Sequence, residues 1–115
     1  MVADLFALKK YRYSSTGAVS QTITPGQDAR LYSVTVSVST APTTSESLTI
    51  TVNYPEGGEY STLMLSTDLS TDSTTDILYQ PDAPFYILKG SSLTIAYANT
   101  DANTVAMQTV MEVEQ

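Results

Sequence analysis

Residues 29–40 read ARLYSVTVSVST, so Tyr32, Val34, Val36 and Val38 alternate with Ser33, Thr35, Ser37 and Ser39. A period of two puts every second side chain on the same face of an extended chain, and no helical period fits it. The segment is therefore a strand with one apolar and one wet face. The chain must supply neighbours to pair with that strand and a second layer to cover its apolar side. Turn residues bound it, with Pro25-Gly26 before and Ala41-Pro42-Thr43-Thr44-Ser45 after.

The same pattern recurs along the chain. Residues 47–54 carry Leu48, Ile50, Val52 and Tyr54 on one parity, and a hairpin with the preceding strand is expected. After the turn Pro55-Glu56-Gly57-Gly58, residues 60–66 place Leu63 and Leu65 on one side and Tyr60, Thr62 and Met64 on the other, which predicts a strand covered on both faces. Residues 68–76 (DLSTDSTTD) lack apolar periodicity and form a loop. Ile77-Leu78-Tyr79 and residues 85–88 are short strands broken by Pro81 and Pro84. Residues 92–98 put Leu93, Ile95 and Tyr97 inward, and residues 104–114 put Val105, Met107, Met111 and Val113 on one face. A polar tip at residues 99–103 is expected to close a hairpin between them. Eight or nine short strands with turns about every ten residues predict an all-β, single-domain antiparallel β-sandwich, jelly-roll or immunoglobulin-like.

Composition agrees. Ser and Thr supply 14 and 18 of 115 residues, whereas charged residues make up 15%, a balance that favours strands over helices. The net charge is −7, so nucleic acid and anionic membrane are repelled and neither is expected as a partner. Without cysteine or histidine, disulfides, thiolate nucleophiles, Cys/His zinc sites and Ser-His-Asp chemistry fall away. The opening MVADLFALKK, with its positive charges after the apolar residues, reads as the start of a mature soluble protein and not as a targeting segment.

Residues 1–13 hold Lys9, Lys10 and Arg12 against one acid, Asp4. Phe6 and Leu8 share one parity and Tyr11 and Tyr13 the other, which suggests an N-terminal arm or bulged edge strand at 1–13 on a β-sandwich domain at 14–115. Lys9, Lys10, Tyr11, Arg12 and Tyr13 form the one basic and aromatic cluster, and they are the candidate partner-binding residues, able to reach an acidic neighbouring subunit. The bland alternative is an edge strand whose charges deter aggregation. On the arm reading, deleting residues 1–13 leaves the domain folded and weakens assembly.

Other polar groups invite chemistry less strongly. Asp68, Asp72 and Asp76 are spaced by four and are weak candidates for holding Ca²⁺, but the EF-hand order with its central glycine is missing, and a solvated acidic loop explains them as well. Asn99, Asp101 and Asn103 suit turn-making. Paired carboxylates for glycoside hydrolysis would have to flank one bond, whereas nearly all the acids map to loops. No catalytic residue and no cofactor are assigned, and the chain is not expected to be an enzyme. Tyr32, Tyr54 and Tyr97 fall on apolar parities, so packing is preferred over a sugar-binding platform.

The stretches SLTITVNYPEGGEYSTLMLSTDLS and DILYQPDAPFYILKGSSLTIAYANTD, within residues 47–101, resemble small β-sandwich virion proteins of tailed bacteriophages. The similar parts are the Gly-rich turn, the Tyr-started strand leading into Ser66-Thr67-Asp68-Leu69, the Pro81 to Pro84 break, Lys89-Gly90 before a strand, and Tyr97 with Asn99 at the next turn. The resemblance implies a non-enzymatic virion component made in the host cytoplasm: a capsid decoration or cement protein, or an accessory head-neck-tail protein. It further implies a homo-oligomer, trimeric in this reading, that contacts other virion proteins such as the major capsid protein. The alternative is a carbohydrate- or host-surface-binding β-sandwich module.

Overall fold

The structure is a computed structural model that describes residues 6–71 and 73–114. Its strands are β1 (Phe6–Ser15), β2 (Val19–Ile23), β3 (Ala29–Val38), β4 (Ser47–Asn53), β5 (Thr62–Asp68), β6 (Asp76–Tyr79), β7 (Phe85–Ile87), β8 (Ser92–Tyr97) and β9 (Val105–Glu114), with one 3-10 turn at Gly58–Tyr60. They form two antiparallel sheets. One has the order β1-β9-β3, with β6 and β7 both pairing along the far edge of β3, and the other has the order β2-β8-β4-β5.

Counting β6 and β7 as one interrupted strand gives eight strands that swap sheets at nearly every connection, the two interlocked Greek keys of a jelly roll. This decides between the two sandwich types expected. The interruption has a local cause. Residues 80–84 contain Pro81 and Pro84, which have no N–H to donate to the ladder, and the chain leaves β3 between them.

Two expected hairpins are corrected. β3 and β4 lie in different sheets, as do β8 and β9, so residues 39–46 and 98–104 cross from one layer to the other. Alternation shows which side chains face inward, but both strands of a crossing and both strands of a hairpin satisfy it equally. Among the described residues, β4 and β5 form the hairpin between consecutive strands.

The core lies between the layers. Leu31, Val34, Val36 and Val38 of β3, Leu48, Ile50 and Val52 of β4, Leu93, Ile95 and Tyr97 of β8, and Val105, Met107, Met111 and Val113 of β9 are all buried. Leu69, just past β5, is buried as well and pins the acidic loop to the core. Thus the expected inward sets hold wherever the ladder is regular.

They fail at two bulges. Tyr32 is an extra residue between the pairs Leu31↔Met111 and Ser33↔Val110, so Leu31 and Val34 both point inward and Tyr32 leaves the apolar set. Met64 is the extra residue between Ile50↔Leu65 and Thr51↔Leu63. Leu65 then faces the core while Leu63 stands on the outer face, 58% exposed. β5 is therefore an edge strand with one uncovered side, and not a strand covered on both faces.

β1 pairs with β9 over its whole length from Phe6↔Glu114 to Ser15↔Val105, without a break in register. The boundary drawn after Tyr13 falls inside this strand, no bulge interrupts it, and Tyr11 and Tyr13 pack against the core. Residues 1–5 of the proposed arm lie outside the described residues. Deleting residues 1–13 should therefore strip one side of β9 and uncover the core beneath the two tyrosines. The truncated protein is expected to melt well below the full chain in a thermal scan, and an unchanged midpoint would show that β1 is dispensable.

The core also contains a polar misfit. Thr109 is 1% exposed on the inward face of β9 and its hydroxyl has no hydrogen-bond partner among the described residues. A buried, unsatisfied hydroxyl costs about 1–3 kcal/mol. Thr109→Val, close in volume, should raise the melting midpoint; a drop would mean that the hydroxyl is satisfied in solution.

Candidate interaction surface

The outer faces of the two sheets differ sharply. On the β2-β8-β4-β5 sheet the outward parity is Ser20 and Thr22 of β2, Ser92, Thr94 and Ala96 of β8, and Thr49, Thr51 and Asn53 of β4. These side chains bond to one another: the Thr22 and Thr94 hydroxyls are 3.1 Å apart, and Asn53 Nδ2 donates to Thr94 Oγ1 at 2.9 Å. This face is uncharged across its centre and offers few unused donors.

The outer face of the β1-β9-β3 sheet carries charge and several exposed apolar groups, while the other sheet exposes Leu63 at its β5 edge. Leu8 on β1, Leu78 on β6 and Tyr86 on β7 are all about 60% exposed, and by register they share the outward side with Lys10 and Arg12 of β1 and Arg30 of β3. Exposed leucines and tyrosine around cations on an otherwise acidic domain mark a contact surface better than scattered single apolar residues would.

The centre of this face is organised by the β3 bulge. Arg30 Nη2 donates to Glu112 Oε2 at 2.6 Å, Tyr32 Oη donates to Glu112 Oε1 at 2.8 Å, and the guanidinium lies 3.9 Å from the centre of the Phe6 ring. Accepting from Tyr32, Glu112 raises the pKa of the phenol, with burial and the carboxylate charge acting in the same direction. Arg30 and Glu112 are cross-strand partners. The extra residue in β3 brings the next side chain to the same carboxylate, so one Glu fixes two neighbours.

Of the candidate partner-binding residues, the structure places Lys9, Lys10 and Arg12 exposed along β1 and turns Tyr11 and Tyr13 toward the core. Burial raises the Tyr11 pKa. The guanidinium of Arg12 is steered by Gln108 of β9, with Nε donating to Oε1 at 2.8 Å. Beside them Ser14, Thr35 and Ala106 are short and leave a shallow depression walled by Arg12 and Gln108. Arg30, Glu112, Tyr86 and Leu78 were not among the sequence candidates. Their only signal was outward parity on strands whose sheet neighbours the sequence did not identify.

The acids considered as ligands are used otherwise. The connections β1–β2, β3–β4, β5–β6 and β8–β9 meet at one end of the sandwich, and side chains tie them together. Asp101 accepts from Thr44 Oγ1 at 2.5 Å and from the Thr43 and Thr44 backbone N–H groups at 2.8 and 3.0 Å. Glu46 accepts from Thr100 N at 3.0 Å and from the Thr100 hydroxyl. Asp68 accepts from Ser70 N at 2.9 Å, Ser70 Oγ at 2.8 Å and the Ser45 hydroxyl, and Asp76 from Ser37 Oγ at 2.7 Å. Asp68 thus ties loops together whereas Asp76 pairs across strands with Ser37 of β3, Asp72 lies outside the described residues, and no group of three metal-ligating side chains occurs among the described residues.

Asn99 has φ 52° and is buried; its side chain donates to Gly17 O at 3.0 Å and Asn103 O at 2.9 Å and accepts from Asn103 N at 3.1 Å. It is a turn-maker in a left-handed conformation that asparagine tolerates well. The tyrosines weighed for a sugar platform are dispersed. Tyr97 is buried, Tyr54 packs against the core, and the Tyr32 hydroxyl is engaged by Glu112.

No family model matches the chain, and no curated protein matches it. Among solved structures, a chain of the cyanophage Pam1 capsid asymmetric unit is similar at a TM-score of 0.49 and 16% sequence identity, over 100% of this chain and 90% of that one. A likeness at this level assigns neither family nor partner.

The stapled end has a pH signature. The Thr44 hydroxyl, followed by the Thr44 and Thr43 amides, holds the Asp101 carboxyl below its ordinary range, and the Ser45 and Ser70 hydroxyls do the same for Asp68. A carboxyl with a depressed folded pKa contributes stability that is present above its unfolded value, about 4, and is lost as pH falls through the folded value. Asp101→Ala should melt lower than the parent near neutral pH, with the gap narrowing as the pH is taken below about 4. A gap that is independent of pH would show that Asp101 acts through shape alone.

Proposed function

We propose that this chain is a non-enzymatic structural protein of a phage virion, a capsid decoration or accessory head-neck-tail component that works through surface contact. The carrying observation is the outer face of the β1-β9-β3 sheet, where Leu8, Leu78 and Tyr86 stand exposed beside Lys10, Arg12 and Arg30 on a domain of net charge −7. Such a face fits a virion protein that offers acidic and apolar side chains opposite these groups. The sequence resemblance at residues 47–101 supports the same reading, including self-assembly as a trimer and residence in the virion.

The absence of histidine and cysteine, the use of Asp68, Asp101 and Glu46 as loop staples and the cross-strand bond of Asp76 to Ser37 support a role without catalysis. The uncharged Ser/Thr face of the other sheet suits a side left to solvent.

In virions purified from the phage that encodes it, the chain should be present at a fixed copy number per particle. A Leu78→Asp/Tyr86→Asp protein, supplied in place of the parent, should fold with an unchanged circular dichroism spectrum yet stay in the lysate. Particles that never contain the parent chain would overturn the virion reading, and full incorporation of the double variant would move the contact to another face.

A further inference from the structure

Each long side of the sandwich is made by the edge strands of both sheets, β1 with β2 on one side and β6/β7 with β5 on the other. These sides carry opposite charge. The β1/β2 strands bear the exposed Lys9, Lys10 and Arg12 and no acid. On the opposite side, β5 and β6 and the segments beside them carry Glu59, Asp68, Asp76 and Asp82, and the sequence has no Lys or Arg between Arg30 and Lys89.

The sides also differ in backbone. β1 is ten residues long with an unbroken register and no proline, so its outer N–H and C=O groups form a continuous open edge. Across the molecule, the prolines at 81 and 84 interrupt β6/β7 and the Met64 bulge distorts β5. Two β1 edges meeting about a two-fold axis would face three cations with three cations, a like-charge arrangement that is strongly disfavoured.

We propose that copies of this chain associate head to tail, the β1 side of one against the β5 and β6/β7 side of the next. Lys9, Lys10 and Arg12 then meet the Glu59, Asp68, Asp76 and Asp82 side. The interface is heterologous, so each copy keeps one free side until a ring closes. The proposal rests on the self-assembly in the reading above and not on the virion assignment.

The test uses two variants of the full chain, Lys9→Glu/Lys10→Glu with a spoiled head and Glu59→Lys/Asp82→Lys with a spoiled tail. Glu59 and Asp82 are exposed and make none of the hydrogen bonds that staple the loops, so the second variant leaves the fold intact. In sedimentation the parent should form a discrete oligomer that weakens about tenfold or more between 0.1 and 1 M salt, where the screening length falls from about 10 to about 3 Å. Each variant alone should associate at least about 100-fold more weakly. Mixed, the two retain one intact head and one intact tail, and the two reversed surfaces are again of opposite sign, so heteroassociation should return where neither variant associates alone.

A parent that stays monomeric at every concentration, or a mixture in which no heteroassociation returns, would overturn the proposal. Oligomers insensitive to both charge reversals would do the same. Those outcomes leave incorporation into virions untouched, whereas a head-to-tail oligomer missing from virions would sink only the virion reading.

Discussion

The dry seam between the sheets is the constraint on which the rest of the molecule depends. β9 runs through the middle of one layer with Val105, Met107, Met111 and Val113 inward, and β8 and β4 answer from the other with Leu93, Ile95, Tyr97, Leu48, Ile50 and Val52. Because every one of these strands buries one parity, the opposite parity is forced outward. The outer faces are thus fixed by the core, and the chain's only freedom is what it places there: hydroxyls on one layer, cations and large apolar groups on the other. At one end of the sandwich Glu46, Asp68 and Asp101 bind loop hydroxyls and backbone amides.

Most of the fold was legible because alternation is a local signal. Strands β3, β4, β8 and β9 follow directly from runs such as VTVSV and LTITV, and the β-sandwich follows from their number and spacing. The pairing was less legible. A crossing between sheets and a hairpin impose the same alternation on the strands they join, so residues 39–46 and 98–104 looked like hairpin tips. The bulges at Tyr32 and Met64 were invisible for a different reason: an added residue shifts parity along its own strand, but where it falls is fixed by the register of a partner strand elsewhere in the sequence.

The candidate surface was half legible. The basic cluster on β1 stood out by composition, and Lys9, Lys10 and Arg12 are indeed exposed, but Tyr11 and Tyr13 serve the core. Arg30, Glu112 and Tyr32 come together across β3 and β9 beside the bulge, a pairing of strands far apart in sequence that one strand alone does not reveal. The acids of the loops drew attention as possible ligands because carboxylates in series resemble a cation site. In the folded chain their neighbours are serine and threonine, which the sequence supplies in every loop of that end.

The pairing of β1 with β9 has a consequence for how the protein comes to be. Arg12 and Gln108, hydrogen-bonded across this ladder, are 96 residues apart in sequence, and β9 is also the inner neighbour of β3. During synthesis β1 precedes β9 and waits without this mate, and β3 stays open along one flank until β9 leaves the ribosome. A topology so dominated by distant pairings folds slowly. The wet parity of serines and threonines, with mutual repulsion among the acids, keeps the unfinished chain dispersed in the interval.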